Sequence, residues 1–151
     1  MPKYYQGRYK IKNPSKYIGN PNKIVYRSGL ELRFFRLIDN HPRILHWGSE
    51  EFNIKYKYEY DGEIHRYFPD LFLEVLNADN TITKYVIEIK PKAFCYLPQK
   101  PKSGRVTKAY LNKVKDYIKN ENKWTAAKKF CEERNIKFQV FTEEILENSK
   151  Y

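Results

Sequence analysis

The chain is poor in the residues that define several protein classes. It has two cysteines in 151 residues, Cys95 and Cys131, too far apart for a metal-ligand pair. That excludes a disulfide scaffold, and two reduced thiols are expected, with Cys131 a small buried hydrophobe in a helical stretch. Three scattered histidines without a cysteine cluster offer no zinc ligand set. No apolar run approaches the ~18 residues needed to span a membrane. Met1-Pro2-Lys3-Tyr4-Tyr5-Gln6 lacks the apolar stretch of a secretory signal, so the chain is expected to stay where it is made. There is no internal repeat and no low-complexity linker, and the length suits one core.

What is abundant is positive charge and tyrosine. Twenty-nine Lys and Arg against 18 Asp and Glu give a net charge of +11, and 14 residues are Tyr. A basic surface of this size favours a polyanion, because each neutralised phosphate releases a counterion. Charge alone does not say which polyanion. The hydrophobic fraction of 41% is enough for a folded core.

Residues 1–25 are polar, rich in Tyr, Lys, Asn and Pro, and without clear period. They read as an extended basic and aromatic arm, with a nucleic-acid or partner-binding tail and a covering strap both open. Residues 26–151 read as a single domain. A helix is expected from about Ser28 to Asp39, where Leu30, Phe34, Leu37 and Ile38 share a face and Asn40-His41-Pro42 ends it. Phe52, Ile54, Tyr56 and Tyr58 alternate as a strand over 51–58, and Asp61-Gly62 signals a hairpin turn. One strand over 65–76, a turn at 77–80 and a third strand over 81–90 complete an antiparallel meander. Pro91 to Val106 reads as a long basic loop, of a length that is often functional. Two helices (107–119 and 122–134), a strand over 136–141 and a short closing helix follow. The order implies an α/β domain with a mixed central sheet, a three-stranded antiparallel meander plus a further strand, flanked by helices.

The sharpest chemistry lies in Phe68-Pro69-Asp70 and Ile87-Glu88-Ile89-Lys90. Side chains alternate along a strand, so Glu88 and Lys90 project from one face, about 7 Å apart. Pairing of neighbouring antiparallel strands can set Asp70 beside Glu88. Two carboxylates and the Ile89 backbone carbonyl would then offer hard oxygen ligands to Mg²⁺, with Mn²⁺ as a substitute. Such an ion polarises a phosphodiester, and Lys90 is placed to hold or activate the attacking water. A lone Glu-x-Lys on a strand carries no information, and a Pro-Asp is often only a turn. Their order and the basic setting give the pair its weight.

Ser28-Gly29-Leu30-Glu31 admits a bland reading as a capping box, with Ser28 capping the helix and Glu31 reaching back. The functional reading points Glu31 from the first helical turn into the metal site. Both can hold together.

The set Arg27-Ser28-Gly29-Leu30-Glu31, Phe68-Pro69-Asp70 and Glu88-Ile89-Lys90 resembles the PD-(D/E)XK, restriction-endonuclease-like nuclease superfamily. The likeness extends over nearly the whole chain to the head completion nucleases of T4-type tailed phages. It is carried by Tyr5-Gln6-Gly7-Arg8-Tyr9, Asn13-Pro14-Ser15-Lys16-Tyr17, Ile24-Val25-Tyr26, Glu50-Glu51-Phe52, His65-Arg66-Tyr67, Lys123-Trp124-Thr125-Ala126-Ala127 and Phe130-Cys131. A bulkier residue than Gly29 is expected at that position in some relatives. The resemblance implies a Mg²⁺-dependent DNA endonuclease acting on packaged or terminal DNA before tail joining. It implies Glu31, Asp70, Glu88 and Lys90 as catalytic residues, with Asp70, Glu88, the Ile89 carbonyl and Glu31 around the metal. Phage head or neck proteins are implied partners, and the host cytoplasm or the virion the place of action. The same Arg-Ser-Gly-Leu-Glu start also resembles Holliday-junction resolvases and TnsA-type transposition endonucleases. A monomer and a homodimer stay open.

The remaining polar residues form an outer circle. Lys100, Lys102, Arg105 and Lys108 make the best phosphate-tracking group, and Arg27, His65 and Arg66 are further DNA contacts. A solvated loop and a structural histidine are the bland alternatives. Lys123 comes near the sheet only if its helix packs there, and Trp124 reads as core. The rival class is a basic DNA-binding virion protein that kept a nuclease fold without its activity, against which four intact site residues argue.

Overall fold

The computed structural model describes residues 6–148. Strands β1 (Gly7–Arg8) and β2 (Val25–Tyr26) form a small antiparallel pair before helix α1 (Gly29–Asn40). Strands β3 (Ile44–Gly48), β4 (Ile54–Lys57), β5 (Ile64–Tyr67), β6 (Leu71–Leu76) and β7 (Ile82–Ile89) follow. Helix α2 (Lys108–Glu132), strand β8 (Lys137–Phe141) and helix α3 (Glu143–Asn148) close the described chain. The central sheet runs in the order β3-β6-β7-β8, antiparallel except for the parallel β7–β8 pair. It is the expected mixed α/β sheet, three antiparallel strands and one further strand, flanked by helices.

Its membership differs from the sequence expectation. The single strand expected over 65–76 is two strands in two sheets. β5 pairs with β4 as a separate hairpin, and β6 pairs with β3 and β7. The break falls at Phe68-Pro69-Asp70, because Pro69 has no N–H to donate to a ladder and the chain changes sheets there. β3 has no counterpart in the sequence expectation. It is short, irregular between Ile44 and His46, and lies directly after the helix stop. The two helices expected over 107–134 are one. Asn120-Glu121-Asn122 contains neither Gly nor Pro, and the polar stretch stays helical. Asn122 there accepts a hydrogen bond from Glu59 N at 2.9 Å and donates to Glu59 Oε1 at 3.0 Å, tying α2 to the β4–β5 hairpin.

The sheet has two covered faces. On one, Leu71, Leu73, Ile87 and Ile89 pack with Phe34, Phe35 and Ile38 of α1, Trp47 of β3 and Leu146 of α3. On the other, Phe72 meets Phe52, which stacks on Phe130 of α2, and Ile54, Tyr56 and Tyr67 of the hairpin close on Ala127. Trp124 and Cys131 are buried in the same half of α2, as expected of core residues, and burial raises the Cys131 thiol to about 11. Both cysteines are unpaired. Among the described residues no helix is long and apolar enough to cross a membrane.

Residues 6–25 lie across the first face as a strap. Tyr9, Tyr17 and Ile24 are buried in the same core as α1, so the boundary expected at residue 25 does not divide the packing. Residues 1–5 of the expected arm lie outside the described residues. Asp39, fully buried near the end of α1, anchors the strap. It accepts from Tyr9 Oη at 2.6 Å, Lys12 N at 2.8 Å and Asn13 N at 3.1 Å. Burial alone would raise the Asp39 carboxyl, but these bonds outweigh it and hold the group below its ordinary range. Lys16 Nζ donates to the carbonyls of Ile38, Asp39 and His41 at 2.9–3.1 Å, satisfying the helix end.

Removing the anchor leaves buried donors without an acceptor. Asp39→Ala is expected to cost about 3 kcal/mol, or roughly 6–12 °C in Tm for a chain of this size, measured by thermal unfolding at neutral pH.

Candidate active site

The site is built where β6 begins and β7 ends. Leu71 is registered with Ile87 and Phe72 with Val86. One step further, the antiparallel register sets Asp70 against Glu88. Asp70 Oδ2 accepts from Ile89 N at 2.7 Å, so the carboxylate is held by the backbone of the strand that bears Glu88. Glu88 is 7% exposed, and its Oε1 accepts from Tyr67 Oη at 2.8 Å. Burial raises the Asp70 carboxyl well above its ordinary range, and the charge of Glu88 and a hydrogen bond shared with it raise it further. Burial and the same Glu88 charge raise the Tyr67 hydroxyl, so it remains a proton donor.

Two further elements converge on this pair. Glu31 stands in the first turn of α1, where Ser28 Oγ accepts from Glu31 N at 3.1 Å. Its Oε2 accepts from Arg27 N at 3.1 Å, one residue before the cap, so the helix start closes as a reciprocal pair of bonds. The same carboxylate feels Glu88 and Glu50, and its pKa is raised, first by burial. The capping bonds therefore leave Glu31 within the electrostatic field of Glu88. From α2, Lys123 sits over the Tyr67 ring at 5.5 Å and interacts with Glu88, Asp70 and Lys90. Burial lowers its pKa, while the carboxylates oppose that shift. Lys90 follows β7, its N–H donating to Phe141 O at 2.9 Å, and its side chain shares a cavity wall with Lys123.

The structure therefore pairs Asp70 with Glu88, places Glu31 in their electrostatic field, and adds Tyr67 and Lys123; Lys90 follows at the end of the Glu88 strand and lines the cavity that Lys123 also lines. Sequence reasoning missed Tyr67, whose ring looked like any alternating strand residue. Lys123 depended on a helix docking that no local pattern reveals. The basic candidates are dispersed. Arg27 forms a two-bond ion pair with Glu50, at 3.0 and 3.2 Å. His65 Nε2 is 2.7 Å from Asp61 Oδ2, and its ring stacks on Tyr56. Arg66 is exposed on the hairpin opposite Lys55. Lys100, Lys102 and Arg105 are exposed on the 91–107 loop, with Lys108 at the start of α2.

The donor set of the main site is hard oxygen. Buried, mutually repelling carboxylates suit a divalent cation such as Mg²⁺ better than a soft metal. Among the described residues the one set of three donors with a ligand atom of each within 4.8 Å of the others is Asp61, Glu63 and His65, at the tip of the β4–β5 hairpin. Asp61 and Glu63 are exposed, and Asp61 is already engaged by His65 and by Glu63 N.

Residues 41–143 match the family model described as TnsA-like endonuclease N terminal. That span holds Asp70, Glu88, Lys90 and Lys123 and begins after α1, leaving Glu31 outside it. The chain is also 39% identical over 142 residues to the head completion nuclease of Enterobacteria phage T4. The alignment covers 93% of this chain and 92% of that protein.

A carboxyl with a raised folded-state pKa stabilises the fold while protonated. That stabilisation is present at low pH and lost as pH rises above the ordinary carboxyl value through the raised one. In chelator, Asp70→Asn is therefore expected to melt higher than the parent at neutral pH, by ~3 °C or more, with the gap closing toward pH 4. Saturating Mg²⁺ should raise the Tm of the parent and leave that of Asp70→Asn nearly unmoved. Equal melting of the two proteins across the pH range would contradict the electrostatic account.

Proposed function

The chain belongs to the TnsA-like endonuclease family, and from that membership we propose a Mg²⁺-dependent DNA endonuclease whose cutting centre is Asp70, Glu88 and Lys90, supported by Glu31. DNA is the substrate that its nuclease family and its charge of +11 both imply. The observation that carries the site assignment is the pairing of Asp70 with Glu88 across two strand ends, in reach of Lys123.

Asp70, Glu88 and the Ile89 carbonyl would hold the ion, with Glu31 completing the acidic side. A divalent cation there supplies positive charge that polarises a phosphodiester and makes water more acidic. The protein's own groups do the rest. Ile89 N fixes one oxygen of Asp70, and Tyr67 fixes one oxygen of Glu88, so neither carboxyl can turn away from the other. Lys90, on the same strand face as Glu88, orients the attacking water and offsets negative charge as the phosphorus is attacked. Lys123, partly desolvated beside the carboxylates, contributes a second positive charge on the phosphate side.

The T4 relative's name suggests the setting. By that analogy the protein acts on packaged or terminal DNA during head completion, in the infected host or on the virion, against head or neck proteins. Mn²⁺ is expected to replace Mg²⁺, since both are accepted by oxygen donors.

The deciding assay is supercoiled plasmid incubated with and without Mg²⁺ and with chelator. Cutting is expected only with the metal. Asp70→Ala, Glu88→Ala and Lys90→Ala are each expected to lower it by about 10² or more, with duplex binding in chelator retained. Lys123→Ala should fall between these variants and the parent. Undiminished cutting by Glu88→Ala would overturn the assignment.

A further inference from the structure

We propose that the cavity between the 91–106 loop and the first half of α2 receives an unpaired nucleotide, so that the enzyme favours DNA with a single-stranded or unstacked segment beside the cut. The position relative to the cut rests on the nuclease reading above; the pocket itself does not.

The cavity has a volume of about 660 Å³, is lined by Lys90 and Lys123, and adjoins the acidic centre through Lys123. That volume lies in the range of pockets that enclose a small organic ligand. Its loop wall presents Phe94, Tyr96 and Leu97, each 60–62% exposed, an uncommon cost for large apolar side chains clustered in one short segment. Its helix wall presents Lys113, Tyr117, Asn120 and Lys123, spaced four and three residues apart and hence on one face of α2. The buried residues of α2 are Trp124, Ala127 and Cys131, all toward its end, so the first half of the helix stands clear of the core.

This combination selects its occupant. A duplex keeps its base faces stacked inside and offers a concave aromatic wall only its phosphates. A single strand offers base faces to Phe94 and Tyr96 and phosphates to the lysines at once, the arrangement by which proteins hold unpaired nucleic acid. Asn120 and Asp116, on the same wall, provide hydrogen-bonding groups for base edges. Lys123, which lines the pocket and interacts with Glu88 and Asp70, places the pocket beside the proposed cutting centre.

The test measures binding in chelator, by fluorescence anisotropy, of the full chain to a blunt duplex, the same duplex with a short single-stranded tail, and the tail alone. The tailed duplex is expected to bind about tenfold more tightly than the blunt one. The double variant Phe94→Ala/Tyr96→Ala is expected to lose that advantage while binding blunt duplex as before. Tyr96→Phe, which keeps the stacking face, should retain it. A 2-aminopurine placed in the tail should change its emission on binding to the parent protein, a readout that does not depend on any variant folding. Equal affinity for tailed and blunt DNA, equal losses for both in the double variant, or an unmoved 2-aminopurine signal would each overturn the pocket. Plasmid cutting with Mg²⁺ is read separately. Tail indifference with intact cutting sinks the pocket alone, whereas tail preference without cutting sinks the nuclease centre alone.

Discussion

Two carboxylates facing each other across adjacent strand ends are the constraint around which the structure is arranged. Burial and mutual repulsion oppose ionisation of Asp70, yet the chain places it against Glu88 by strand register and holds it with Ile89 N. A fold bears such a pair only where it brings compensating charge. Here Tyr67 donates from the hairpin, Lys123 comes from α2, and the oxygen-rich centre is left able to accept a cation. The same electrostatic frustration is what would favour a divalent cation at this centre under the proposed function.

The two faces of the sheet divide the labour. The first is an ordinary apolar core, closed by α1, α3 and a strap that Asp39 and Lys16 pin in place. Rigidity there fixes the strand register on which the acid pair depends. The second face is shallower and is covered by the hairpin and the last turns of α2. It is the face from which Glu88 projects, and the open first half of α2 extends it into a basic and aromatic groove. Glu31 links the two, since α1 packs on the core face while its first turn reaches the strand ends.

Much of this was legible in the chain. Period-two alternation located β4, β7 and β8, and helical spacing with a Ser28 cap located α1 within a residue at each end. The short residue set Glu31, Asp70, Glu88 and Lys90 pointed to one centre; the structure sets Asp70 against Glu88 with Glu31 in their electrostatic field, and puts Lys90 just past the end of β7. The errors share a cause. Pro69 interrupts a run that reads as continuous by polarity, so β5 and β6 were merged. Asn120 to Asn122 reads as a stop by polarity, so α2 was divided. β3 is too short and irregular to announce itself.

The sequence by itself determined which residues could do chemistry and which faces of each element were apolar, because side-chain alternation and capping are local properties of a few consecutive residues. Only the tertiary structure decided that β4 and β5 leave the central sheet, that Tyr67 reaches Glu88, and that Lys123, more than thirty positions beyond the Glu-x-Lys strand, completes the charge around it. Those facts depend on register and docking between distant segments. Many pairings satisfy the same local pattern, and burial of two particular surfaces against each other selects among them.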